Sequence, residues 1–190
     1  LGSLVSVGRF NEPRKGWRRL LLSYKQAYKD NPEVPELKLI GWGEFSPELS
    51  SEITELQKHL PIKVLSNLSN RERDRELLTS SFFVQASHEE GLGLAALEAL
   101  SYGTPLVCAE TDGSREYLST GINGILVAQG PKFEDRFATA DTFHFLNIPV
   151  GYSKTPAINL LTANIKEEVT SLELGTLAAS SDSLSSSVGL

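Results

Sequence analysis

A chain of 190 residues, 40 % of them hydrophobic, holds enough apolar side chains for one good core and too little length for two full domains. Its formal net charge of -6 argues against a general nucleic-acid binder, and no apolar run approaches the roughly 20 residues a membrane helix needs. The lone Cys108, inside the apolar run PLVCA, can form no intrachain disulfide and reads as a small buried hydrophobe in a reducing, cytoplasmic compartment. The charge is uneven: residues 1–30 carry Arg9, Arg14, Lys15, Arg18, Arg19, Lys25 and Lys29 against Glu12 and Asp30, a local cationic patch in an acidic protein. With no methionine and a strand-like run at its start, the sequence is expected to be an excised piece of something longer.

LVSVG, residues 4–8, has the apolar run of a short buried strand, and after a polar turn Trp17, Leu20, Leu21, Tyr24 and Tyr28 recur at helical spacing. ELKLIGWG, residues 36–43, predicts a second strand. Ser46 and Pro47 then start a helix with Leu49, Ile53, Leu56 and Leu60 on one face. IKVLS, residues 62–66, predicts a third strand, and Ser69 with Glu72 has the spacing of a capping box. FFVQAS is a fourth strand, followed by the glycine turn and apolar helix of SHEEGLGLAALEALSYG, residues 87–103; PLVCA, 105–109, is a fifth and ILVA, 125–128, a sixth. Six short apolar strands separated by helices specify an α/β fold, a Rossmann-like, doubly wound and mostly parallel sheet. After residue 129 the rhythm breaks: 129–179 reads as a helical extension, mainly over 157–178, and 180–190, with six serines, as a disordered tail.

In such a sheet ligands bind outside the carboxyl ends of the strands. Three loops there are chemically unusual: GRFNEPRKG with Arg9 and Lys15, the turn Glu90-Gly91-Leu92-Gly93, and AETDGSRE with Gly113 and Glu116. Gly91 and Gly93 let backbone amides approach a ligand, and the following helix points its positive end at the same spot, which suits a phosphate. Arg9 and Lys15 add two cations, and together these features outline a diphosphate site. Glu90 and Glu98, eight residues apart, would lie about 12 Å apart along a helix rising roughly 1.5 Å per residue. Glycosidase carboxylate pairs sit about 5 to 9.5 Å apart, so these two fit better as contacts to the two ends of an extended ligand. Carboxylates accept hydrogen bonds from sugar hydroxyls, and a diphosphate with a hydroxylated ring on each side is a nucleotide sugar. For Glu98 the alternative is an acid paired with a basic group or backbone amides in the core. No Asp-x-Asp pair is present, and His59, His88 and His144 lack ligand spacing, so neither metal nor cofactor is expected. His88, beside Glu90, is either a substrate contact or a solvated loop histidine.

GRFNEPRKG, LIGWGE, the segment from VLSNLS to FFVQAS, HEEGLGLAALEALSYGTPLV and TDGSREYLSTGINGILV, within residues 4–128, resemble the donor-binding half of retaining glycosyltransferases with two facing Rossmann-like domains, the GT-B architecture of group 1 (family 4). The resemblance implies a nucleotide-sugar-binding domain over residues 1–128. It further implies that Arg9 and Lys15, beside Gly8, hold the donor diphosphate and neutralise the leaving group. Glu90 would contact the transferred sugar, with the amides of Gly91, Leu92 and Gly93 next to it. Glu98 would bind the ribose hydroxyls, and the edge from Leu65 to Leu68 would meet the base. Glu116 matches a further family acid without an assigned role, and Leu92 stands where the family more often has Phe. The implied reaction is metal-independent transfer of a hexose from a UDP-sugar, GDP-mannose or similar donor to an acceptor hydroxyl. The acceptor-binding N-terminal domain, with any membrane-surface association, would lie outside this chain, which alone would be inactive. Two rivals stay open: a non-catalytic nucleotide-binding module, and a nucleotide-sugar epimerase or phosphorylase of the same architecture.

Overall fold

Successive strand residues point to opposite faces of a sheet, and in this chain both sets are apolar, which calls for helices on both sides. The computed structural model describes residues 2–120, 122–131 and 133–138. Its strands are β1 (Leu4–Arg9), β2 (Leu37–Trp42), β3 (Ile62–Ser66), β4 (Phe82–Gln85), β5 (Leu106–Ala109) and β6 (Gly124–Val127). They pair in parallel, in the order β3-β2-β1-β4-β5-β6. The helices are α1 (Trp17–Asp30), α2 (Pro47–Leu56), α3 (Asn70–Thr79), α4 (Leu94–Ser101), α5 (Asp112–Tyr117) and α6 (Phe133–Ala138). The α/β, Rossmann-like sheet expected from the strand pattern is therefore present with all six strands.

Alternation sorts the core into two layers. Leu4, Leu39, Phe82, Val84 and Val107 pack with Trp17, Leu20, Leu21 and Tyr24 of α1 and Ile53 of α2. Val5, Val7, Ile40, Phe83, Leu106 and Cys108 face the other way, toward Leu77 of α3 and Ala96 and Ala99 of α4. Helix starts follow the sequence signals: Ser46 Oγ accepts from the Leu49 amide at 3.3 Å, and Ser69 and Glu72 form the reciprocal capping box. β4 is shorter than FFVQAS, because Ala86 and Ser87 leave the ladder while staying buried.

One helix falls at the start of the 129–179 stretch read as a helical extension, ahead of the 157–178 part expected to carry most of it. Helix α6 packs against α1, and its Phe133 and Phe137 are buried in the first core layer. The helix expected over 157–178 and the serine-rich tail over 180–190 lie outside the described residues. Among the described residues no helix is long and apolar enough to cross a membrane.

Candidate active site

The strand order reverses between β1 and β4. From β1 the chain winds outward through β2 and β3, then returns to β4 on the other side of β1. The helices that follow these two strands leave to opposite faces, α1 to one core layer and α4 to the other, so a crevice opens outside their carboxyl ends. The loop after β1 contains a single 3₁₀ turn, Pro13–Lys15, and the His88 amide in the loop after β4 donates to the Arg14 carbonyl at 2.7 Å, tying the two loops together.

Lys15 and Glu90 meet in that crevice. Lys15 Nζ donates to Glu90 Oε1 at 3.0 Å and to Oε2 at 2.9 Å, with side chains 23 % and 14 % exposed. The methylene stem of Lys15 lies over Gly8, where a Cβ would come within 3.2 Å of Lys15 Cδ. A second donor reaches the same acid: Gln85 Nε2, at the buried end of β4, donates to Glu90 Oε2 at 2.8 Å and to Ser87 Oγ at 3.1 Å. The Tyr117 hydroxyl is buried beside Gly93, without a hydrogen-bond partner among the described residues. Burial, with Cys108 and Glu90 nearby, pushes its pKa well above the usual phenol value.

The other expected site residues fall around this pair. Arg9 ends β1 in register with Trp42; it is exposed, and among the described residues its guanidinium has no ion-pair partner. Gly93 is the N-cap of α4 at φ 78°, and a Cβ there would lie 2.6 Å from the Tyr117 hydroxyl and 3.2 Å from Glu90 Cγ. Gly91 is exposed and a Cβ on it would meet nothing within 4 Å, and Leu92 is exposed beside it. Gly113 comes so close to this turn that a Cβ on it would overlap the Gly91 carbonyl, and its amide donates to the Glu90 carbonyl at 3.2 Å.

Glu90 itself precedes α4 by four residues, so helical rise separates it from Glu98 over only the second half of that interval. Glu98 lies on α4, 42 % exposed, with Arg73 of α3 at 3.5 Å from its Oε1. The acid is thus paired with a base, the alternative for its position, but at the surface rather than in the core. Leu65 and Leu68 pack half-buried against the second core layer, on the same side of the sheet as α4. Glu116 is exposed on α5.

The cationic patch of the N-terminal region is smaller than its sequence. Arg14 is paired with Glu12 at 3.1 Å and Arg18 with Glu52 at 3.1 Å. Arg19 is buried: it donates to the carbonyls of Ala86 and Ser87 and, at 2.8 Å, to Gln129 Oε1, and its guanidinium stacks 3.8 Å over the Phe133 ring. Burial pulls its pKa down to about 10. Gln129 also donates to the Ser87 and His88 carbonyls, so α1, α6 and the chain after β6 together clamp the loop that carries Glu90. His88 is exposed, with its pKa held below the usual imidazole range by partial burial and by Arg19. Burial pushes the Cys108 thiol far above its usual range, in keeping with a packing role. Among the described residues no group of three or more His, Cys, Asp or Glu is arranged to hold a metal ion.

Beside Glu90 lies an open cleft of about 490 Å³, lined in part by His88, Glu89, Gly91, Thr111 and Arg115. A larger one of about 680 Å³ lies between the loops after β1 and β2, against Phe10, Trp17 and Phe45, and is lined by neither Lys15 nor Glu90.

Known structures share this architecture. The pneumococcal O-GlcNAc transferase GtfA, crystallised with UDP and GlcNAc, superposes on 93 % of this chain and 35 % of its own with a TM-score of 0.73 at 18 % identity. TarM superposes on 86 % of this chain and 34 % of its own with a TM-score of 0.60 at 19 % identity. At such identities the likeness establishes the fold, a Rossmann-like unit of the GT-B type. The sequence profile described as "Glycosyl transferases group 1" matches residues 3–139, through α6, and the chain belongs to that family. Among its relatives are the poly(glycerol-phosphate) alpha-glucosyltransferase of Bacillus subtilis, 36 % identical over 51 % of this chain and 15 % of that protein, and the phosphatidyl-myo-inositol mannosyltransferase of Mycolicibacterium smegmatis, 28 % identical over 66 % and 32 %. The chain spans about a third or less of the length of these two relatives.

Proposed function

We propose that this chain is the nucleotide-sugar-binding half of a retaining, metal-independent glycosyltransferase that moves a hexose from a nucleoside diphosphate sugar to an acceptor hydroxyl. The observation that carries the reading is the meeting of Lys15 and Glu90 at the point where the strand order reverses. A crevice of this kind is where doubly wound sheets bind nucleotides, and it brings a cation for the diphosphate against an acid for the sugar. Arg9 and Lys15 hold the diphosphate and stabilise the charge that develops on it as the sugar leaves, a task fixed cations perform without reorganisation. The amides of Gly91, Leu92 and Gly93, ahead of α4, add to that stabilisation. Glu90 contacts the sugar hydroxyls, Glu98 the ribose, and the edge from Leu65 to Leu68 the base; Glu98 gives up Arg73 when ribose binds. The relatives named as glucosyl- and mannosyltransferases support a hexose donor such as a UDP-sugar or GDP-mannose. The acceptor, and any contact with a membrane surface, belong to a second, N-terminal domain, and transfer takes place in the cytoplasm.

Calorimetric titration with UDP, GDP and their sugar conjugates tests these roles. Glu98→Gln is expected to weaken nucleoside diphosphate and nucleotide sugar alike. Glu90→Gln is expected to weaken only the sugar-bearing ligand, since releasing Lys15 cannot harm its hold on a bare diphosphate. A Glu90 variant that lost both ligands equally would overturn the assignment.

A further inference from the structure

Gln85 is an unusual residue to find at the buried end of a central strand. It is 7 % exposed, its neighbours in β4 are Phe82, Phe83 and Val84, and its carbonyl oxygen is buried with no hydrogen-bond donor among the described residues. A leucine or methionine would fill similar volume without stranding a polar atom. The use of an amide here therefore lies on the nitrogen side, where Nε2 donates to Glu90 Oε2 at 2.8 Å and to Ser87 Oγ at 3.1 Å.

We propose that Gln85 is a positioning residue for Glu90, holding its carboxylate by Oε2 so that Oε1 faces the ligand. This rests on the reading of Glu90 as the acid that contacts the sugar. A carboxylate oxygen offers two acceptor positions. Oε2 has both filled, by Gln85 and Lys15, whereas Oε1 has only Lys15 at 3.0 Å and keeps one position open. The amide matters most when ligand is bound. A diphosphate draws Lys15 away from Glu90, and among the described residues Gln85 is then the side chain left to fix the acid. Neutral and buried, it offers no competing charge to the diphosphate, so its effect falls on the sugar-bearing ligand.

The test compares Gln85→Met, Gln85→Leu, Glu90→Gln and the double variant Gln85→Met/Glu90→Gln in the full chain. Each is titrated with UDP-glucose and GDP-mannose and, as sugar-free controls, with UDP and GDP. The expected result is about a tenfold loss of affinity for the sugar conjugate in either Gln85 variant, unchanged affinity for the bare diphosphate, and a double variant no weaker than Glu90→Gln alone. Equal losses on both ligands, or losses that add in the double variant, would show that Gln85 acts only through the fold and would overturn the proposal. If the unaltered chain bound none of these probes, the proposed function would fail by itself. The positioning claim would still be read from ligand-free crystal structures of the two Gln85 variants: a displaced Glu90 carboxylate supports it, and an unmoved one overturns it.

Discussion

In the proposed function Lys15 is the group for which two anions compete. It bonds both oxygens of Glu90; a diphosphate would present more charge and more acceptors, so the ammonium would move to it with the loss of one partly buried ion pair. Lys15→Ala is expected to weaken nucleoside diphosphate binding by about tenfold or more, from the loss of a charge-assisted contact worth about 1.5–3 kcal/mol. Calorimetry returning the original affinity would remove Lys15 from the site. Glu90 stands out in the sequence as a candidate because the glycines after it mark a turn that a ligand or a tight loop would require, and the structure brings it to Lys15. Gln85 does not, since FFVQAS reads as a strand and strand patterns do not say which polar residue is held inward; one amide in an apolar run is the available signal. Arg19 reads as part of a basic patch, because a buried arginine bonded to carbonyls and stacked on Phe133 looks in sequence like its solvated neighbours.

The turn before α4 distinguishes two glycines that a sequence motif treats alike. Gly93 is in the left-handed region at φ 78°, and a methyl group would press on the Tyr117 hydroxyl and on Glu90. Gly91 has nothing within 4 Å of the same point. Gly93→Ala is therefore expected to lower the melting temperature, with backbone strain of about 1–3 kcal/mol. Gly91→Ala should melt like the unaltered chain and weaken only ligand binding, because its methyl group would stand where the ligand approaches. Thermal melts with and without nucleotide separate the two, and a stability loss at Gly91 would contradict the account. Strands and helices are legible because both core layers impose apolar runs and periodic faces. Helix α6 is legible only as part of a loosely helical stretch, since its six residues carry two buried phenylalanines whose partners, in α1, lie more than a hundred positions away in the chain.

At the scale of the molecule, right-handed crossovers set the face each connecting helix takes for a given strand order, and the observed order opens the crevice between β1 and β4. The depth of burial has a consequence of its own. Tyr24 is almost fully buried, its hydroxyl donating to the Pro35 carbonyl at 2.9 Å, and burial raises its pKa, as it does for Tyr117. Below about pH 10 both states of the chain carry these protons, so nothing is lost. Above it the unfolded chain releases them first and stability falls as pH rises. Melts across the alkaline range, followed beside tyrosinate absorbance, should show that decline, and it should shrink in Tyr24→Phe; a flat profile would contradict it.

Binding of a nucleotide sugar where β1 and β4 part is tested most directly by amide chemical-shift mapping of the labelled chain during titration with UDP-glucose and GDP-mannose. A solvated half-site implies a dissociation constant of about 0.1 to 1 mM, or about 4 to 5.5 kcal/mol. At millimolar ligand the expected shifts concentrate in residues 8–16, 65–68 and 90–98. Shifts confined to the larger cleft around Phe10 and Phe45, or none at these concentrations, would contradict it.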